Sequence, residues 1–541
     1  MKSRSFKKFL LLTLAVSTFS VGYQGQVQAA FGSGTENRMA VLHAAANYNP
    51  HLKDAVVASD ASIVQVTGGR IRGSVQNGIY QYLGVPYAEA QERFVKAGPV
   101  TPWKGVKDAT QYGAISPQYL FGTEKPISDV PVSNNCQNLN IWTSTLDAGA
   151  KKPVMVWLHG GGFVSGSGNE AWYDGENLSR KGDVVVVTVN HRLNVLGHLD
   201  LSAYGDKYKD SPNVGSMDMV EALRWIRANI AKFGGNPNNV TLFGQSGGGS
   251  KVLELMSAPS AKGLFQKGIV ESGTANTTGI RFTPAALSRE VTAETLKNLQ
   301  VGPDQIEELQ TMPVEKIWKA SDQAFQTVAS RHKIPGTLGN GYSLLLQPVS
   351  GTDFLPLDPV QPQGFAPAGK DIPLLIGSNL NEWTTVFPFT AHEAMTEEQK
   401  ALYAKAYPNE DPDTADLVDI QFRPTTQLVM DHKADQKGAP VYAYVFTKQV
   451  GDDGVYHTAE IPYVFSNTAE QEPLADTMTA LWSSFAHTGV PQAKGVPVWK
   501  PYTRENGETM ILDDKSYMTQ HHDRELMKAM GADNAEKNPM K

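Results

Sequence analysis

A serine flanked by glycines marks where this chain could do chemistry. The apolar run Val240-Thr241-Leu242-Phe243 leads into Gly244-Gln245-Ser246-Gly247-Gly248 and then into a stretch of helical pattern. In Gly-x-Ser-x-Gly between a strand and a helix, the turn is so sharp that the residues two before and two after the serine must lack bulk, and the hydroxyl is lifted above the sheet as a nucleophile. A second glycine cluster, His159-Gly160-Gly161-Gly162-Phe163, follows the run Val154 to Leu158. Serial glycines leave backbone N–H groups bare. Acyl transfer needs such donors ~3 Å from the developing oxyanion, and losing one raises the barrier by about 3 kcal/mol. Gly161, Gly162 and Gly247 are the candidate donors. Gly166-x-Gly168-x-x-Ala171 has the letters of a dinucleotide fingerprint, but its glycines come several residues after the strand instead of at its turn.

A nucleophilic serine needs a base, and the chain has 12 histidines. Where serine stands on such a turn, an acid and then a histidine follow it along the chain. With the acid near residue 380, the histidines left are His392, His432, His457, His487, His521 and His522. His487 lies in a helical stretch and His521-His522 in a polar tail, which suits surface positions. His457 leaves the carboxyl end of the run Val441 to Phe446 through Gly451-Asp452-Asp453-Gly454, where a base belongs. For the acid, Glu382 follows the run Pro373 to Gly377, with Asp353 as the second choice. A triad acid holds the imidazole tautomer and stabilises the imidazolium while staying ionised. Activity should then fall as His457 is protonated, below about 6.5 if its pKa is unperturbed.

These residues need a scaffold. Val154–Leu158, Val184–Val189, Val240–Phe243, Lys267–Glu271, Pro373–Gly377 and Val441–Phe446 are near-continuously apolar, as strands of a parallel sheet covered on both faces must be. Val214 to Phe233 carries Val220, Leu223, Trp225, Ile226 and Ile230 at helical spacing and stops at Gly234-Gly235. Repeated strand–helix–strand units predict an α/β fold with a mostly parallel, doubly wound sheet. Shorter glycine- and proline-broken runs from Ile63 to Ile141 suit antiparallel edge strands. Two helical stretches, about 284–328 and 396–435, read as insertions that cover the sheet's top and shape a pocket. Asp411, Asp413 and Asp416 lack the glycine and final glutamate of a calcium loop and read as a solvated turn.

Composition narrows the partners. The chain has 541 residues, 41% hydrophobic and 19% charged, with net charge −7. No basic surplus points to nucleic acid, and a charged fraction below the usual ~25% excludes a disordered acidic chain. One cysteine, Cys136, excludes an intrachain disulfide and a cysteine-rich zinc site. Lys2, Arg4, Lys7 and Lys8 precede the apolar run Phe9 to Phe19 and the exit Val27-Gln28-Ala29. Residues 1–29 therefore read as a cleaved export signal, too short for the ~20 apolar residues of a membrane helix. Residues 30–541 read as a single catalytic domain with no membrane anchor, and the mature chain is more acidic than the precursor.

Around these motifs the chain resembles the type-B carboxylesterase family of the α/β-hydrolase superfamily, which includes cholinesterases and bacterial para-nitrobenzyl esterases. The resemblance runs from about Ile63 to Leu512 and takes in Arg93-Phe94, Asn190-His191-Arg192-Leu193, Phe233 to Val240 and His457 to Phe465. It implies a serine ester hydrolase with Ser246 as nucleophile, Glu382 as acid and His457 as base, needing no cofactor and no metal. It also implies a supporting role for Ser272, for which a hydrogen-bonded turn serine is the other reading, and a structural ion pair between Arg192 and Asp218.

The chain departs from the family pattern in several places. Ser133-Asn134-Asn135-Cys136 lacks the acidic partner expected for Arg93, and Cys136 stands at a family disulfide position without a second cysteine. Gln245 and Gly247 replace the usual Glu and Ala beside the nucleophile, which weakens the case for a cationic substrate. The expected substrates are neutral or apolar esters, in a pocket lined by Phe163, Trp172, Tyr173 and Trp383. Amide or carbamate hydrolysis uses the same machinery, and a non-catalytic binding protein of this fold is the remaining alternative.

Overall fold

The structure, a computed structural model, describes residues 56–119, 126–127, 129–336, 342–383, 394–410, 412–450, 454–531 and 535–540. Residues 1–29, read from the sequence as an export signal, and His392 and Asp411 lie outside them.

The sheet that carries the site has eleven strands among the described residues. They are β1 (Ser74–Gln76), β2 (Ile79–Pro86), β3 (Asn138–Thr143), β4 (Lys152–Leu158), β5 (Val185–Val189), β6 (Gly235–Gln245), β7 (Lys267–Glu271), β8 (Leu374–Asn379), β9 (Val441–Phe446), β10 (Glu508–Leu512) and β11 (Tyr517–Gln520). Their order across the sheet is β11-β10-β9-β8-β7-β6-β4-β5-β3-β2-β1. Neighbours from β10 through to β5 run parallel, and the pairs at both margins are antiparallel. This is the α/β-hydrolase arrangement expected from the sequence, antiparallel N-terminal edge included.

The apolar runs are continuous because alternate residues enter different cores. On β4, Val154, Val156 and Leu158 pack on one face while Met155 and Trp157 pack on the other. The helices that matter here are α1 (Val214–Asn229), α2 (Gly247–Ser257), α3 (Ala285–Leu299), α4 (Val314–His332), α5 (Glu397–Ala406), α6 (Phe422–Asp435) and α7 (Pro473–Thr488). α1 stops short of the predicted Phe233: a 3-10 turn, Ile230–Phe233, intervenes before Gly234 at φ 74°. β6 starts five residues before Val240, because Lys152 of β4 pairs with Gly235 across a bulge, despite the polar Asn236, Asn238 and Asn239.

The two helical stretches differ in where they pack. α3 and α4 share a third core, in which Val291, Leu296, Ile317 and Val328 meet Val195, Leu196 and Leu199. By contrast α6 sends Leu428, Val429 and Met430 into a core on the sheet itself. In the second stretch, Asp416 accepts the Met395 N–H at 2.7 Å, which fastens the turn that the sequence reads as solvated.

Arg93, whose family-pattern acid is absent, donates through Nη1 to the carbonyls of Leu309 and Met312 at the end of a helical turn, and the charge of Glu315 also favours its guanidinium. Arg192 and Asp218 form a fully buried ion pair at 2.7 Å. Beside that pair Cys136 is also fully buried, and burial pushes its thiol far above the ordinary range. Among the described residues no helix is long and apolar enough to cross a membrane.

Candidate active site

Ser246 joins β6 to α2 with φ 57° and ψ −128°. Such a conformation costs a non-glycine residue about 1–3 kcal/mol and persists where the surroundings over-determine it. The Ser246 N–H continues the sheet's pairing, donating to the Glu271 carbonyl at 2.8 Å. Both flanking glycines are sterically required. A Cβ at Gly244 would lie 2.6 Å from the Leu158 carbonyl oxygen, and one at Gly248 only 1.9 Å from the same atom.

The second glycine cluster leaves β4 and folds over this turn. Gly161 and Gly162 have φ 81° and 62°. A Cβ on Gly247 would sit 2.5 Å from the Gly162 nitrogen and 2.4 Å from its Cα, so the loop and the start of α2 touch backbone to backbone. This contact explains glycine where the family usually has alanine. Among the described residues no acceptor takes the N–H of Gly161, Gly162 or Gly247, which leaves all three available beside the serine.

Glu382 follows β8 and His457 follows β9, and the parallel pairing of these strands brings the two loops together. The His457 N–H donates to the Glu382 carbonyl at 2.8 Å, and His457 Nδ1 lies 2.5 Å from Glu382 Oε2. The other carboxylate oxygen accepts the Asn379 N–H at 2.8 Å. Both side chains are buried. Burial raises the Glu382 carboxyl to about 8 and lowers the His457 imidazole to about 4, although the charges of Glu460 and Asp419 pull the imidazole back up. At 2.5 Å the two titrate as one unit, so the pH dependence belongs to the pair. Burial thus moves His457 away from the unperturbed value of the sequence reading.

Ser272 is fully buried at φ 47°, its N–H donating to the Gly377 carbonyl at 2.8 Å. Its hydroxyl lies outside hydrogen-bonding geometry, yet it is near enough to Glu382 to pull that carboxyl down against burial. Asp353, the second choice for the acid, is exposed. Of the other histidines, His487 is exposed as expected, whereas His522 is not a surface residue: its side chain is 5% exposed, edge-on to Tyr407.

The aromatic expectations divide. Trp383 stacks on the His457 ring at 4.1 Å, and Phe422 of α6, which no motif indicated, stacks on it at 5.0 Å. Phe163 and Tyr173, expected in the pocket wall, are core instead: Phe163 packs on His198 and Phe282, and Tyr173 on Trp157 and Phe465. Gln245 places its amide nitrogen 3.2 and 3.3 Å from the two imidazole nitrogens, hence over the ring face.

Sequence reasoning also missed Asn379 and Glu460. Asn379 Nδ2 donates to Glu460 Oε2 at 2.6 Å and to the Tyr456 carbonyl at 2.8 Å, tying the acid's loop to the base's loop. Glu460 lies inside the His457 to Phe465 motif, which was the available signal. Among the described residues no group of three or more His, Cys, Asp or Glu is placed to hold a metal ion.

Comparison with known proteins follows the same outline. The profile of the Carboxylesterase family matches residues 60–416 and 413–529. A para-nitrobenzyl esterase of Bacillus subtilis (strain 168) is 33% identical over 493 residues, 84% of this chain and 95% of that protein. A phenmedipham hydrolase of Pseudarthrobacter oxydans is 30% identical over 494 residues, with the same coverage of 84% and 95%. Among solved structures, an esterase from Clostridium hathewayi, described as able to hydrolyse aliphatic aromatic polyesters, superposes with a TM-score of 0.77 at 33% identity, covering 87% of this chain and 98% of that one.

Proposed function

The chain belongs to the carboxylesterase family, and from that premise we propose that it hydrolyses neutral or apolar carboxylic esters through an acyl-enzyme on Ser246. His457 takes the serine proton as Ser246 attacks the ester carbonyl, and Glu382 stabilises the imidazolium that forms. The oxyanion rests on the N–H groups of Gly161, Gly162 and Gly247. The imidazolium then protonates the leaving alcohol, and water, deprotonated by the same histidine, releases the acid. The observation that carries this reading is the buried His457–Glu382 pair at 2.5 Å, set on the loops beside a serine held at φ 57°.

Substrate class is argued from Gln245. Where the family usually has a carboxylate beside the nucleophile, this chain has a neutral amide laid on the imidazole. That removes a negative charge that would favour a cationic alcohol. The phenmedipham hydrolase among the relatives favours carbamates as a second reading, since the same acyl chemistry serves both. We also propose that residues 1–29 are removed on export and that residues 30–541 act as one catalytic unit.

The test is Ser246→Ala. This variant should fold, lose turnover of a chromogenic acyl ester and lose labelling by a fluorophosphonate probe. Retained turnover would sink the assignment. An unlabelled wild-type serine would point to a binding protein. A panel of aryl, alkyl, polymeric and carbamoyl substrates then separates the two hydrolytic readings.

A further inference from the structure

One buried cation takes no part in the mechanism above. Lys251 stands in the second turn of α2, the helix that Ser246 opens, and is 0% exposed. Its Nζ donates to the His159 carbonyl at 2.8 Å and lies 5.4 Å from the centre of the Phe163 ring. These two residues bracket Gly160-Gly161-Gly162. One ammonium therefore grips both ends of the glycine run from the helix of the nucleophile.

The surroundings are unusual for a core. Glu254, on the same helix, and Glu170 face Lys251 and favour its charge. Burial raises these carboxyls to about 8 and about 7. His159, His191 and His198 are all pushed down by burial, and Lys251 adds to the effect on each. They are neutral rings, and apart from Arg192, which Asp218 already pairs, Lys251 is the group here that can carry a positive charge. Burial lowers the lysine itself to about 7. Removing an ammonium from water costs several kcal/mol, whereas a methionine would fill similar volume without that cost. The glycine run has no side chains of its own to hold it, and donors of this kind stabilise an oxyanion only if they are fixed before the charge develops.

We propose that Lys251 is a positioning residue: its ammonium holds the His159 carbonyl and the Phe163 ring so that the donor amides stay in register with Ser246. This rests on reading Gly161, Gly162 and Gly247 as the oxyanion donors.

The experiment compares wild type with Lys251→Met, counting active sites by fluorophosphonate labelling taken to completion. The variant should label fully while kcat per labelled serine falls about 10²-fold with KM little changed. Affinity for a trifluoromethyl ketone, which forms a tetrahedral adduct on serine, should fall in parallel. A lysine that only supports folding would lower the number of labelled sites and leave kcat per site and ketone affinity at wild-type values, which overturns the proposal. If Lys251→Met does not accumulate as folded protein, Lys251→Gln carries the same test with the same two outcomes. Failure of wild type to label at Ser246 would instead count against the site reading on which the proposal rests.

Discussion

At the residue scale, the proposed chemistry turns on how one histidine and one glutamate share a buried space. Alone, His457 would be hard to protonate; beside Glu382 its imidazolium gains a counter-charge at 2.5 Å. The base must be neutral to act, so kcat/KM falls as pH drops through the titration of the pair, between about 4 and about 8. Glu382→Gln removes the counter-charge and leaves burial to act by itself, which lowers the imidazole pKa. The acid limb should move to lower pH while kcat drops by up to ~10⁴. A pH–rate series on both proteins reads this, and a limb moving upward would contradict the assigned pairing. The placement of Ser246 on a strand-to-helix turn and of His457 and Glu382 on neighbouring loops was legible because glycine spacing, chain order and strand ends constrain them. Lys251 and Phe422 were not, because a lysine or a phenylalanine on a helix carries no mark of the contact it will make.

At the element scale, the site depends on how closely a loop after β4 approaches the start of α2. Gly247→Ala restores the side chain usual in the family, yet here the added methyl would meet the Gly162 backbone at 2.3–2.5 Å. The loop must retreat, carrying a proposed donor with it. We expect kcat to fall about 10²-fold with KM little affected, as measured by steady-state kinetics on an activated ester; a wild-type kcat would mean the loop yields without losing its register. The strands were readable from sequence because both faces of the sheet are covered, which removes polar alternation. Strand ends were less so: β6 begins among asparagines because its partner strand, not its own composition, extends the pairing. The division between α3–α4, with a core of their own, and α6, laid on the sheet, was not visible either, since amphipathic helices with different partners have the same periodicity.

At the scale of the whole molecule, the chain keeps its family fold while changing several of its fasteners. At Arg93, helix-end carbonyls and the charge of Glu315 take the place of the family-pattern acid, and the Arg192–Asp218 pair is present. The cysteine that the family uses for a bridge persists as a buried thiol next to that pair. That it makes no intrachain disulfide and that it is a buried lone thiol were both expected from the sequence; its place beside the Arg192–Asp218 pair followed from where β3 and its preceding loop lie.

That thiol has a further use. A group that is inaccessible and held protonated in the native state reacts with alkylating agents only when the molecule opens around it. Because the chain has a single cysteine, the extent of alkylation counts opened molecules with no competing signal. Native protein should resist a maleimide and become fully labelled in denaturant, as read by mass spectrometry; rapid labelling of native protein would place the thiol at the surface. Cys136 thus serves as an internal clock for unfolding, and the rate at which it runs in a dilute solution of the enzyme measures how long the native fold stays closed.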